Sequence, residues 1–338
     1  MQKTYLHLTG YFDRNFGDDM MMKLVVRSLP EITFLVEYSA DTPLLSEPNV
    51  EQADAKVCRR FPKLVVIGSG FMINSRISFR SELLQFLKGL HPGDYCLGCN
   101  MEPLDSPIKR FLIRQKLNKF QLITCRDQES YGWLLQNTGK PEIHCLPDIL
   151  FSLPDAWLPA GKAPCKLGIS MMHRAGDRED CAYYRAMAEA ADEWVEKEGK
   201  GVILMAFDTG EEDDLFACRA VQSLMRFPDQ AEIVAHTDGT EIPAAFARCE
   251  KIIGARFHSI VLALRMGIPC FPIFFREKTR NLIRDLNYPF LGCEINRIDH
   301  LAVSTFLSEK HTQFLLQENI YSVASKHVLL LKAAMNED

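Results

Sequence analysis

The 338-residue chain is short of single-sign charge. Its 39 Lys and Arg stand against 44 Asp and Glu, a formal net charge of −5. That balance lacks the basic excess that grips a phosphate backbone, so nucleic acid is not an expected partner. Long apolar runs are also missing: nothing approaches the roughly 20 residues that cross a bilayer. The stretch Met1 to Leu8 lacks the basic, apolar and small-residue regions of a secretory signal, and the expected location is cytoplasmic. Cysteine shows no framework. The 11 cysteines run from Cys58 to Cys293, an odd number in a chain too long to need stapling, so free thiols are expected. Cys96 and Cys99 form a lone C-x-x-C without a second pair or a helix-opening context, so neither a metal nor a redox motif is expected. Repeats and low-complexity tracts are absent as well.

What is present is alternation. The N-terminal part reads as strand Thr4 to Leu8, helix Asp18 to Leu29, strand Thr33 to Val36 and strand Lys63 to Ile67. Helix Ser81 to Leu90, strand Asp94 to Leu97, helix Ile108 to Lys119, strand Leu122 to Cys125 and helix Gln128 to Gln136 follow. Pro147, Pro154, Pro159 and Pro164, with Gly161, interrupt the pattern and mark a domain boundary. Alternation then restarts with strands Lys166 to Met171, Val202 to Ala206, Glu232 to Ala235, Lys251 to Gly254 and Cys270 to Phe274. Helices Cys181 to Lys197, Asp213 to Arg226, Ile242 to Arg248, Phe257 to Met266 and Lys278 to Leu286 separate them. A last helical pattern covers Ala302 to Lys332. The expected fold is α/β, with two Rossmann-like, doubly wound domains facing a cleft. Residues 1–150 form the first domain, 151–300 the second, and 301–338 a helix crossing back to the first. A length beyond the roughly 250–300 residues at which one core stops growing agrees with two domains.

Ligands in such sheets bind where strands end, so the chemistry is sought in the loops that follow them. The first loop, Gly10 to Asp19, holds Asn15, Gly17 and Asp18 before the first helix. Its glycines permit close backbone approach, and the helix start offers N–H groups to an anion or hydroxyl. Asp18 as a plain N-cap and Gly17 as a turn residue are equally compatible. The G-x-G-x-x-G spacing is absent here and at Gly68-Ser69-Gly70, which disfavours a nicotinamide cofactor. Arg126 ends a strand, where it could fork onto a carboxylate of a ligand or of the protein itself.

The strongest local signal is Gly254-Ala255-Arg256-Phe257-His258-Ser259. Arg256 and His258 flank a buried-type position at a helix N-terminus, where two cationic groups call for something negative between them. A bound phosphate or carboxylate would serve, as would a structural Asp or Glu. Lys278 brings another cation one strand later, and Glu211-Glu212-Asp213-Asp214 reads as an acidic first helical turn rather than a metal site.

Taken in order, Gly10 with Asn15 to Asp18, Gly68 to Gly70, Arg126-Asp127 with Ser130, Pro147-Asp148, Arg256-Phe257-His258 with Gly267 to Pro269, and Lys278 resemble the polysaccharide pyruvyl transferase family. Phe257 replaces the leucine usual in that family's Arg-Leu-His motif and leaves both polar residues in place. The resemblance implies a GT-B-like pair of Rossmann domains, phosphoenolpyruvate as donor and no separate cofactor or metal. It also implies a glycan or lipid-linked saccharide as acceptor, and peripheral membrane association through that acceptor. By the same resemblance His258 and Asp18 are the catalytic candidates. Arg256, Lys278, Arg126 and Ser259 would bind the donor, and Asn15, Gly17, Gly68 and Gly70 the acceptor. A GT-B-like glycosyltransferase using a nucleotide sugar and a non-catalytic sugar- or anion-binding protein remain the alternative readings.

Overall fold

A computed structural model describes residues 4–11, 13–37, 46–58, 63–68, 93–101, 106–139, 141–159, 165–311, 314, 316 and 319–336. The helix expected over Ser81 to Leu90, the position Gly70, and Gly161 and Pro164 of the proposed boundary lie outside them. The chain divides into two compact units: Met1–Phe12, Asp18–Ser152 and Asn319–Asp338 make the first, Asp13–Gly17 and Leu153–Glu318 the second.

The first unit holds β1 (Thr4–Thr9), β2 (Ile32–Glu37), β3 (Val50–Ala53), β4 (Leu64–Ile67), β5 (Asp94–Cys99), β6 (Phe120–Cys125) and β7 (Glu142–Cys145). Among the described residues they form one sheet in the order β3-β2-β1-β4-β5-β6-β7, every pair parallel. The second unit holds β8 (Lys166–Met171), β9 (Val202–Ala206), β10 (Ala231–Ala235), β11 (Cys249–Gly254), β12 (Cys270–Phe274) and β13 (Cys293–Glu294). Their order is β10-β9-β8-β11-β12-β13, again all parallel. Each sheet therefore reverses its winding once, between β1 and β4 and between β8 and β11, which is where a doubly wound sheet opens a ligand crevice.

Burial explains why the inner strands form. Every residue of β5, β9 and β12 is buried, as expected for parallel strands covered on both faces. The helix Ala182–Glu198 buries Tyr184, Met187, Ala191 and Trp194 against that second core and stops at Gly199, whose φ of 65° suits the left-handed C-cap.

The helical pattern expected over Ala302 to Lys332 is three helices, His300–Ser308, Ile320–Ala324 and Lys326–Asn336. Two cores divide it: Val303, Phe306 and Leu307 join the second unit's core, whereas the chain from Asn319 belongs to the first unit. There His327 anchors the last helix, with Nε2 2.9 Å from the Pro147 carbonyl and Nδ1 2.6 Å from the Thr124 hydroxyl. A carbonyl can only accept, so Nε2 carries the proton, and Thr124 donates to Nδ1 while accepting from Gly98 N–H at 2.9 Å.

Candidate active site

The switch point of the second sheet gathers the charged residues. Arg256 follows β11 as N-cap of the helix Phe257–Arg265, with extended backbone at φ −86° and ψ 136°. Its guanidinium lies among carboxylates: Nε donates to Asp214 at 2.8 Å, one terminal nitrogen to the other Asp214 oxygen, and the second to Glu212. Of the readings open for Arg256, the structural carboxylate partner is the one present. Burial opposes its charge, but Asp214 and Glu212 outweigh that and hold it protonated. An anion arriving at Arg256 alone would meet a cluster already matched or negative.

Asp214 is fully buried at the start of the helix Asp214–Leu224. Beyond Arg256 it accepts from His173 N–H and from Asp208 N–H, both at 2.9 Å, tying the ends of β8 and β9 to that of β11. Burial pushes its carboxyl above the ordinary range despite the opposing pull of Arg256. Glu212 behaves oppositely. Burial works against its charge, yet Arg256, then Arg276 and Lys278, draw it below the ordinary value. Arg276 occupies the N-cap position of the helix Glu277–Asp285 after β12, and Lys278 sits in that helix's first turn with Nζ 5.4 Å from the centre of the Phe257 ring. Because β11 and β12 pair directly, these cations share one sheet edge with Arg256.

Asp208, just past β9, is fully buried, and it ties residues 13–17 into this unit. Its carboxylate accepts from Asn15 Nδ2 at 3.1 Å and from Gly210 N–H at 3.0 Å. Phe16 N–H donates to Phe207 O at 2.8 Å, and Asp13 accepts from Glu211 N–H at 2.6 Å. Burial first, then repulsion from Asp214 and Glu212, lifts the Asp208 carboxyl to about 7, against attraction to Arg256 and the Asn15 hydrogen bond. Asn15 Oδ1 in turn accepts from Gly17 N–H at 3.1 Å, so Asn15, not Asp18, caps the helix Phe16–Ser28.

Gly17 then meets His258. A Cβ built on Gly17 would fall 1.7 Å from the imidazole Nδ1, a contact that only glycine's bare Cα permits. His258 is 7% exposed and packs edge-on against Phe257, ring centres 5.1 Å apart.

The expected residues therefore divide. Arg256, His258, Ser259, Lys278, Asn15 and Gly17 all belong to the second unit. Ser259 is fully buried and donates to Arg256 O at 2.6 Å, closing the first helical turn. Asp18 and Gly68 meet in the first unit: Gly68 follows β4 with φ +79°, and an added Cβ would lie 2.9 Å from the Asp18 carboxylate. Arg126 also stays in the first unit, buried, with one nitrogen 2.8 Å from Asp148 and another 2.7 Å from Asn100. That is the structural pairing weighed for it. Sequence reasoning missed Asp208, Asp214, Glu212 and Asn100. The signal for Asp208 was its place directly after β9.

Residues 15–273 match the family described as polysaccharide pyruvyl transferase. No curated protein matches the sequence. Similar solved structures include the UDP-GlcNAc 2-epimerase of Methanocaldococcus jannaschii, at 11% identity over 98% of this chain and 100% of that one, TM-score 0.61. Another is the Neisseria meningitidis UDP-GlcNAc 2-epimerase bound to UDP-GlcNAc, at 10% identity over 99% and 100%, TM-score 0.52. A glycosyltransferase of Rickettsia africae aligns at 9% identity over 100% of both chains, TM-score 0.53. At such identities the likeness shows the fold alone, two Rossmann-like domains of the GT-B type.

Proposed function

The chain belongs to the polysaccharide pyruvyl transferase family, and on that footing we propose that it moves the pyruvyl group of phosphoenolpyruvate onto two hydroxyls of a sugar. The sugar lies in a cell-surface polysaccharide or its precursor, and the product is a pyruvate ketal. The observation that carries the catalytic assignment is the His258 imidazole seated against the bare Cα of Gly17 at the sheet's switch point.

In this reading His258 gives a proton to the methylene carbon of the donor, which leaves C2 electrophilic. A sugar hydroxyl attacks C2 and loses its proton to a carboxylate. The C2–O bond to phosphate breaks and phosphate departs with its electrons. A second hydroxyl closes the ketal and releases the second proton. Asp18, beside Gly68 in the first unit, is assigned to the sugar. Lys278 and Arg276 are assigned to the donor's negative charge, which competes with Glu212 for them. Arg256 is a positioning residue here, since its fork fixes Asp214 and Glu212 from the N-cap position of the helix that carries His258.

Thermal unfolding with phosphoenolpyruvate, and separately with a uridine nucleotide sugar, tests the donor. At about 100 times the dissociation constant a ligand adds roughly 2.7 kcal/mol, a shift of several degrees. Stabilisation by phosphoenolpyruvate that disappears in Lys278→Ala supports the assignment. Stabilisation by the nucleotide sugar alone favours a glycosyltransferase.

A further inference from the structure

The helix Pro107–Leu117 in the first unit presents a face that its own core does not use. Ser106 accepts from Lys109 N–H at 3.4 Å and Pro107 sits in the first turn, so the helix start is well defined. Leu112, Ile113 and Leu117 are buried, and Ile113 and Leu117 pack with Val66, Cys96, Cys99 and Ile123. Opposite them, Ile108 is 58% and Phe111 57% exposed. Spaced three apart, they are neighbours on the helix surface, and Arg110 and Arg114 lie exposed beside them.

The charge of this segment departs from the balance of the whole chain. Residues 106–120 carry Lys109, Arg110, Arg114, Lys116 and Lys119 and no Asp or Glu, in a protein whose acids outnumber its bases. Two large apolar side chains and two arginines stand side by side on this surface. A bilayer boundary accepts both, with hydrocarbon for Ile108 and Phe111 and lipid phosphate for the arginines. We propose that the outward face of this helix docks on an anionic lipid bilayer, Ile108 and Phe111 entering the headgroup boundary and Arg110 and Arg114 meeting lipid phosphates.

The test is sedimentation of the full-length protein with vesicles of phosphatidylcholine alone and with phosphatidylglycerol added, containing no saccharide lipid and no phosphoenolpyruvate. Its outcome therefore stands apart from the pyruvyl-transfer reading. Two double variants are compared, Arg110→Glu with Arg114→Glu and Ile108→Ser with Phe111→Ser. All four residues are exposed, and melting curves check that both variants keep the fold. The expected result is salt-sensitive binding to the anionic vesicles only, weakened roughly thirtyfold or more by the charge reversal and clearly lowered by the serine pair. No binding to anionic vesicles, or binding that survives either double substitution unchanged, overturns the proposal.

Discussion

The imidazole of His258 lies where the side chain of Gly17 would be: a Cβ added there falls 1.7 Å from Nδ1. The two residues are 241 positions apart in the sequence. Asn15 caps the helix at Gly17, and Asp208 holds Asn15, so a hydrogen-bonded chain fixes the seat of the ring. Gly17→Ala should displace the imidazole. A displacement of about 1 Å costs up to roughly 100-fold in rate, so turnover is expected to fall at least tenfold with little change in secondary structure. Steady-state kinetics beside circular dichroism checks this, and an unchanged kcat would remove His258's position from the mechanism.

Asp208 should make the protein sensitive to pH near neutrality. Its folded carboxyl titrates at about 7 against an ordinary 3.8, so the folded state holds a proton that the unfolded state releases. Between those values stability falls as pH rises. Asp208→Asn should flatten that slope and abolish any break near pH 7 in kcat/KM. Chemical unfolding and rate profiles from pH 4 to 8 measure both.

The acidic cluster explains where sequence reasoning stopped. Both doubly wound sheets were legible because buried parallel strands are continuous apolar runs; β8, β9 and β12 fall on the residues that the pattern marks. β3 and β13 were not, since Val50–Ala53 places exposed Glu51 and Gln52 at its centre and Cys293–Glu294 has only two residues. At the site, Arg256-Phe257-His258 was legible as a helix head demanding negative charge. Its partners were not. Glu212 and Asp214 read as ordinary complements to a helix dipole, and only the fold brings them to an arginine more than 40 residues away.

Arg126 and Asp148 form a buried pair whose side chains are 3% and 1% exposed. Asp148→Ala would remove the carboxylate that lies 2.8 Å from the buried Arg126 guanidinium. Such losses cost about 3–5 kcal/mol, which urea denaturation would show as a lowered midpoint. An unchanged midpoint would mean that Arg126 finds a new partner or water.

His327 should make the docking of the last helix acid-labile. Burial lowers its folded value to about 4 from an ordinary 6.5, so between these values the unfolded chain binds the extra proton and stability falls as pH drops. At pH 5 the loss relative to pH 7 should be about 2 kcal/mol from this residue. In His327→Gln, which cannot titrate, that part of the slope should vanish.

In the proposed mechanism His258 drives pyruvyl transfer from phosphoenolpyruvate. It is tested most directly by phosphate release from phosphoenolpyruvate across a panel of sugar acceptors, with wild type and His258→Ala side by side. Acceptor-dependent release by the wild type is expected, with a ketal-bearing sugar as product. Near-complete loss of release is expected in His258→Ala, while phosphoenolpyruvate still raises that variant's melting temperature. Equal release by His258→Ala and wild type would contradict it.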